Sequence, residues 1–132
     1  MVEPLTPALQ VNRSEEDEVI GIVQGVIPDS KNEWFVALAL DKLGIDYIFQ
    51  FSLYGGRSVR GGQVVDFVVF HPKALPVYVQ GAYWHAIRSE TEDLLKQAAA
   101  ENYFGVKPVL LMEDETDTKE KAYQAVIEKI GV

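Results

Sequence analysis

The sequence predicts a single α/β domain, a mixed sheet flanked by helices in the order α-β-β-β-α-β-α. Three observations carry this expectation. The 132 residues fit one domain and are enough to enclose a core without help. Aromatic and β-branched runs recur between glycine and proline punctuation, with helix-type patterns placed before, between and after them. Several of those runs are apolar almost throughout instead of alternating, as expected of strands covered on both faces.

Residues 1–17 read as an irregular or mobile lead-in with two prolines and an acidic run, ahead of one domain over 18–132. Residues 19–27 (VIGIVQGVI) are β-branched but carry two glycines, which fits either a short strand or a packed loop. Ser30 followed by Glu33 forms a capping-box pattern ahead of the apolar stretch from Trp34 to Leu40. This predicts a helix buried on most sides and closed by Gly44. The stretches 46–53 (DYIFQFSL) and 63–70 (QVVDFVVF) predict two strands. Between them, residues 54–62 (YGGRSVRGG) predict a flexible hairpin connection. A turn at His71-Pro72 leads to a third strand over 75–84 (LPVYVQGAYW). A second helix opens at Ser89 or Thr91 and runs to about Tyr103, where Gly105 stops it. Residues 106–112 (VKPVLLM) predict a fourth strand, and residues 118–130 an amphipathic last helix.

Composition excludes several functions. With no cysteine, disulfides, thiol catalysis and cysteine-ligated zinc are absent, and a cytoplasmic setting is expected. No apolar run reaches the ~20 residues of a membrane span, and the first residues lack the basic start and apolar stretch of a signal peptide. A net charge of −8 speaks against a protein that coats phosphates non-specifically. The acidity is concentrated at the two ends. Residues 1–51 carry three basic and nine acidic side chains, residues 52–107 six and five, and residues 108–132 three and six. Neither acidic run has the alternation, central glycine and closing glutamate of a calcium loop.

Four residues break the local rules. Asp66 lies inside VVDFVVF, where a carboxylate is expensive to bury unless paired, hydrogen-bonded or metal-bound. It either meets an open edge or an arginine, or serves as a metal ligand where the sheet splays apart. Gln80, before Gly81 in an apolar strand, marks a bulge, a close backbone approach or a bond to a neighbouring strand. His85, directly after Tyr83-Trp84, is either a satisfied structural residue beside aromatics or, leaving the strand next to that of Asp66, flanks one site with it. Glu33 serves either capping alone or a site at the helix entry. A P-loop is excluded because the glycine-rich segment lacks a Gly-Lys-Ser/Thr ending, and no Gly-x-Ser-x-Gly elbow surrounds Ser58.

Together, Glu33 near a helix start, LGIDYIFQF, VVDFVVF and VYVQGAYWH, in this order and spacing, resemble the PD-(D/E)XK nuclease superfamily. The likeness is to the branch of very-short-patch mismatch-repair endonucleases and small restriction-endonuclease-like proteins, and runs from about Ser30 to Ile130. It implies a restriction-endonuclease-like core and Mg²⁺- (or Mn²⁺-) dependent hydrolysis of DNA phosphodiesters. Carried over by position, Asp66 is the central metal ligand. The second acidic position falls at Tyr78 and the usual lysine at Gln80, both departures from the common pattern. The resemblance then gives the Val79 backbone carbonyl as a metal ligand and places Gln80 on metal-bound water. It assigns His85 to proton transfer and Glu33 to the acidic helix position. Arg57, Arg60, Lys73, Arg88 and Lys96 are the candidate phosphate-binding residues, giving weak, salt-dependent DNA binding. A homodimer is compatible with one small domain attacking one strand. A nuclease-fold protein without catalysis, binding nucleic acid or a protein, is the competing expectation, and Tyr78 and Gln80 favour it. An unrelated α/β domain, in which Asp66 and His85 never meet, is the third.

Overall fold

The structure, a computed structural model, describes residues 19–80 and 90–131. The lead-in, the last four residues of the predicted third strand, His85 and Arg88 lie outside the described residues. The rest is α/β, with helices α1 (Lys31–Leu43), α2 (Glu90–Phe104) and α3 (Lys119–Val126) around strands β1 (Asp46–Leu53), β2 (Gln63–Phe70), β3 (Ala74–Gln80) and β4 (Val109–Met112). The strands lie side by side in chain order. β1–β2 and β2–β3 are antiparallel, and β3–β4 is parallel. The sheet is therefore mixed, and α2 makes the crossover between its parallel pair.

Local chemistry accounts for the boundaries. Ser30 caps α1, its Oγ accepting the Glu33 N–H at 3.2 Å. Gly44 closes it in the left-handed conformation (φ 71°), which costs glycine nothing and other residues ~1 kcal/mol or more. Glu33 does not complete the reciprocal half of a capping box on Ser30. Its Oε1 accepts the N–H of Asp29 instead, at 3.2 Å. β4 begins at Val109, three residues later than the sequence suggests. The left-handed Gly105 and then Pro108, which has no N–H to give a ladder, delay pairing. The last helix keeps its predicted start, with Thr118 as cap, but widens after Val126 into a π-helical turn at Ile127–Gly131. Residues 19–27 form no strand, only a tight turn bridging Val23 and Val26. Gln24 (φ 49°) and Gly25 (φ 81°) at its tip give the hairpin turn with two left-handed residues.

Two apolar layers sandwich the sheet. On one face Phe49, Phe67, Val69, Val77 and Leu111 pack against Phe35, Val36 and Leu40 of α1 and Ala122 and Val126 of α3. On the other, Leu53, Val65, Val68 and Tyr78 pack against Ala100 and Phe104 of α2. This coverage of both faces is the reason β2 reads as a nearly continuous apolar run. Both outer edges of the sheet are occupied by side chains. The Gln24 amide accepts the Phe49 N–H at 2.8 Å and donates to the Tyr47 carbonyl at 2.7 Å, imitating a strand beside β1. Beside β4, the Lys129 ammonium donates to the Leu110 carbonyl at 3.0 Å and to Glu115 Oε1 at 2.8 Å. Among the described residues, no helix is long and apolar enough to cross a membrane.

Candidate active site

The centre of the sheet forks at Asp66. Pairing of β2 with β3 runs from Phe70↔Ala74 to Phe67↔Val77 and stops there. β3 continues along β4 to Gln80↔Met112, while β2 continues along β1 to Gln63↔Leu53. Asp66 is the first β2 residue inside the fork. On its other side the β1 ladder also lapses, because Gln50, opposite Asp66, is missing from the register and has φ 56°. In place of a backbone ladder, Asp66 Oδ2 accepts the N–H of Val79 at 2.8 Å. The carboxylate that the sequence marks as costly is thus half-buried at a break in the sheet, hydrogen-bonded to the neighbouring strand.

The N-terminus of α1 faces this fork. Glu33, only 7% exposed, comes close enough to Asp66 and Asp29 to feel both charges. Burial first, and then the Asp66 carboxylate, push its acid up to about 8. The Asp29 N–H and the Arg57 guanidinium pull the other way without reversing the effect. Glu33 is therefore protonated at neutral pH. A carboxyl group held protonated by burial and by a neighbouring carboxylate is a usual physical basis for an acid role. Arg57 reaches in from the loop after β1, its Nη2 lying 3.4 Å from Asp29 Oδ2 with both side chains more than half exposed. This is a weak contact that a phosphate can replace.

The opposite wall is built from a buried polar triangle that sequence reasoning missed. Tyr78 O–H donates to Gln63 Oε1 at 2.6 Å, and Gln63 Nε2 donates to the Lys96 carbonyl at 2.8 Å. Gln63 and Tyr78 are 3% and 8% exposed, so each bond replaces a costly unmet demand. The triangle ties β2, β3 and α2 together below the Lys96 side chain. At the near end, Asn32 donates to the Glu113 carbonyl at 3.0 Å and to Thr116 Oγ1 at 2.9 Å, locking α1 to the end of β4. The result is an open cleft of about 910 Å³.

Of the residues expected from the sequence, Glu33, Asp66, Val79, Gln80, Arg57 and Lys96 line this cleft. Arg60 is exposed on the same loop as Arg57 but is not part of the lining. Lys73 does not line the cleft. It sits at the β2–β3 turn beside Phe70↔Ala74, the far end of the ladder from Asp66. An antiparallel strand carries residues after Asp66 away from the fork. Val79 is engaged through its N–H as well as being available through its carbonyl. Tyr78 occupies the acidic position of the expected motif, but its hydroxyl is committed to Gln63.

Among the described residues, no group of three or more His, Cys, Asp or Glu is placed to hold a metal ion. The oxygens of Asp66 and the Val79 backbone nevertheless suit a hard cation such as Mg²⁺, which binds through one or two carboxylates and keeps several waters. No protein-family model, curated protein or solved structure matches the chain.

Proposed function

We propose that this protein hydrolyses DNA phosphodiester bonds in the cleft at the sheet fork, as a Mg²⁺- (or Mn²⁺-) dependent endonuclease with a restriction-endonuclease-like core. The observation that carries this reading is the convergence at Asp66. A strand-interior carboxylate stands where both neighbouring ladders lapse, sharing one cleft with a protonated Glu33 and with Arg57 and Lys96. Structural ion pairs alone do not need a break in the sheet.

In this reading Asp66 and the Val79 carbonyl hold the cation, with Glu33 beside them. When bound, the ion supplies positive charge against the scissile phosphate and acidifies a water. The chain's own residues do the rest. Arg57 and Lys96 bind the phosphates flanking the cut, Arg57 by exchanging its long contact with Asp29 for a charge-assisted bond. Gln80, at the cleft end of β3, orients the attacking water. Glu33 holds a proton on its carboxyl at neutral pH and is the acid of the pair. His85, assigned to proton transfer from the sequence, lies outside the described residues. The balanced reaction adds water across one P–O bond, giving a phosphate monoester and an alcohol. Because the positive groups are few and the net charge is −8, DNA binding is weak and falls steeply with salt.

Incubating purified protein with supercoiled plasmid and Mg²⁺ or Mn²⁺ tests this. Nicking is expected, with loss in Asp66→Ala; nicking that survives this change refutes the assignment. A second reading, a nuclease-fold protein that binds without cutting, is favoured by Tyr78 and Gln80 at the motif's charged positions and by the small number of carboxylates. It predicts no nicking and no change in tryptophan fluorescence at millimolar Mn²⁺.

A further inference from the structure

The segments that supply Arg57 and Lys96 to the cleft also carry a surface feature that its proposed chemistry does not use. Tyr54 and Tyr103 are 50% and 54% exposed, although they come from the end of β1 and the last turn of α2. Their rings meet edge to face, with centroids 5.8 Å apart and an interplanar angle of 85°. Phe51 and Phe104 support Tyr103 from within, at centroid distances of 6.3 and 4.8 Å. Single exposed aromatics are ordinary. Two rings from distant segments, buttressed beneath and open above, form a fixed platform.

Two further facts concern Tyr54. Its φ is 53°, in the left-handed region where a bulky side chain is disfavoured and glycine is not. It precedes Gly55 and Gly56, so the neighbouring positions are the permissive type and the strained one holds the ring. Its backbone also abuts the cleft wall: a Cβ on Gly62, which lines the cleft, would fall 2.6 Å from the Tyr54 carbonyl oxygen. On the helix side, Lys96 and Tyr103 are seven residues apart and share one face of α2, about 10 Å along the axis. That is the rise of roughly three stacked nucleotides. Lys96 and Tyr103 thus share α2, and Arg57, Arg60 and Tyr54 share the loop after β1, with Lys96 and Arg57 lining the cleft. Cations that follow a backbone, leading to aromatic faces, are what an unpaired strand requires; a closed duplex keeps its base faces covered.

We propose that Tyr54 and Tyr103 form a stacking platform for unpaired bases, so that the strand entering the cleft is single-stranded DNA. This rests on the reading of the cleft as a DNA site, and it narrows the substrate from DNA in general to unpaired strands, flaps or frayed ends.

Fluorescence anisotropy in low-salt buffer with EDTA, where no strand is cut, tests the platform apart from the hydrolysis. The probe is a labelled oligothymidylate of about twelve nucleotides. Tighter binding to this strand than to a duplex of equal length is expected. Tyr54→Ala and Tyr103→Ala should each weaken it about fivefold or more, and Tyr103→Phe should stay within about twofold of the parent. An oligonucleotide with abasic sites should reproduce the loss on the unmodified protein, which keeps the test sound even if Tyr103→Ala does not fold. Equal affinity for duplex, no binding of the single strand, or unchanged affinity in Tyr54→Ala overturns the platform. Plasmid nicking is scored separately. A platform that binds without nicking overturns the hydrolysis alone, and nicking with tyrosines that do not affect strand binding overturns the platform alone.

Discussion

Replacing Glu33 with glutamine removes one buried ionisable group while keeping size, shape and the oxygen that accepts the Asp29 N–H. The consequence for stability follows from proton counting. In the unfolded chain the carboxyl ionises near 4.5, and in the folded protein at about 8. Between those values the folded state holds a proton that the unfolded state has lost, so stability falls as pH rises through this window. The slope is about 1.4 kcal/mol per pH unit. Over the whole window the loss is on the order of 4 to 5 kcal/mol, a large share of the ~5–15 kcal/mol that holds a domain folded. Glu33→Gln has no such proton to lose. Groups that do not feel the Glu33 charge titrate alike in both proteins and cancel in the difference. Urea unfolding, followed by tryptophan fluorescence and circular dichroism at pH 5, 7 and 9, should show near-equal stability at pH 5. By pH 9 the variant should be more stable by several kcal/mol. A difference that does not change with pH would refute the claim that Glu33 is held protonated. A parent protein that gains on the variant as pH rises would reverse its sign.

Three further perturbations probe the frame around the cleft. Tyr78→Phe removes the donor to the buried Gln63 Oε1 and should cost about 1–3 kcal/mol in urea unfolding, loosening α2 as judged by faster amide exchange near Lys96. Gly62→Ala would place a Cβ 2.3 Å from the Gly56 carbonyl oxygen; a loss of about 2 kcal/mol or more is expected in thermal unfolding, because backbone must shift. Gln24→Ala strips the side chain from beside Tyr47 and Phe49; it should cost about 1 kcal/mol and make light-scattering mass rise with concentration.

How much of this was legible in the sequence depended on the range of the forces involved. The bounds of β1 and β2 and the entry of α1 follow from the chain alone, since glycine punctuation and the Ser30 cap act within a few residues. Asp66 was conspicuous because a charge in VVDFVVF contradicts its surroundings. The surroundings that resolve the contradiction are distant in sequence. The fork requires knowing where β3 abandons β2 for β4, and Gln50 gives no warning of its conformation. Lys73 shows the opposite relation. It is close to Asp66 in the chain, but an extended strand turns seven positions into separation along the sheet. Gln63 read as an ordinary strand start, although its amide joins three elements. The raised pKa of Glu33 needed burial and the approach of Asp66 and Asp29 in space. Tyr54 and Tyr103, each unremarkable in sequence, become notable only as neighbours.

The two side chains that occupy the sheet edges differ in when they become available. Gln24 precedes β1 in the chain, so a ribosome delivers the guard before the strand it protects. Lys129 follows β4 and comes last. During synthesis, the sheet therefore passes through an interval in which β3 and then β4 present open backbone with nothing to cover it, while the β1 side is already shielded. The hazard of mispairing at that edge ends once Lys129 is in place. Slowing translation before that residue would lengthen the exposure of the β4 edge.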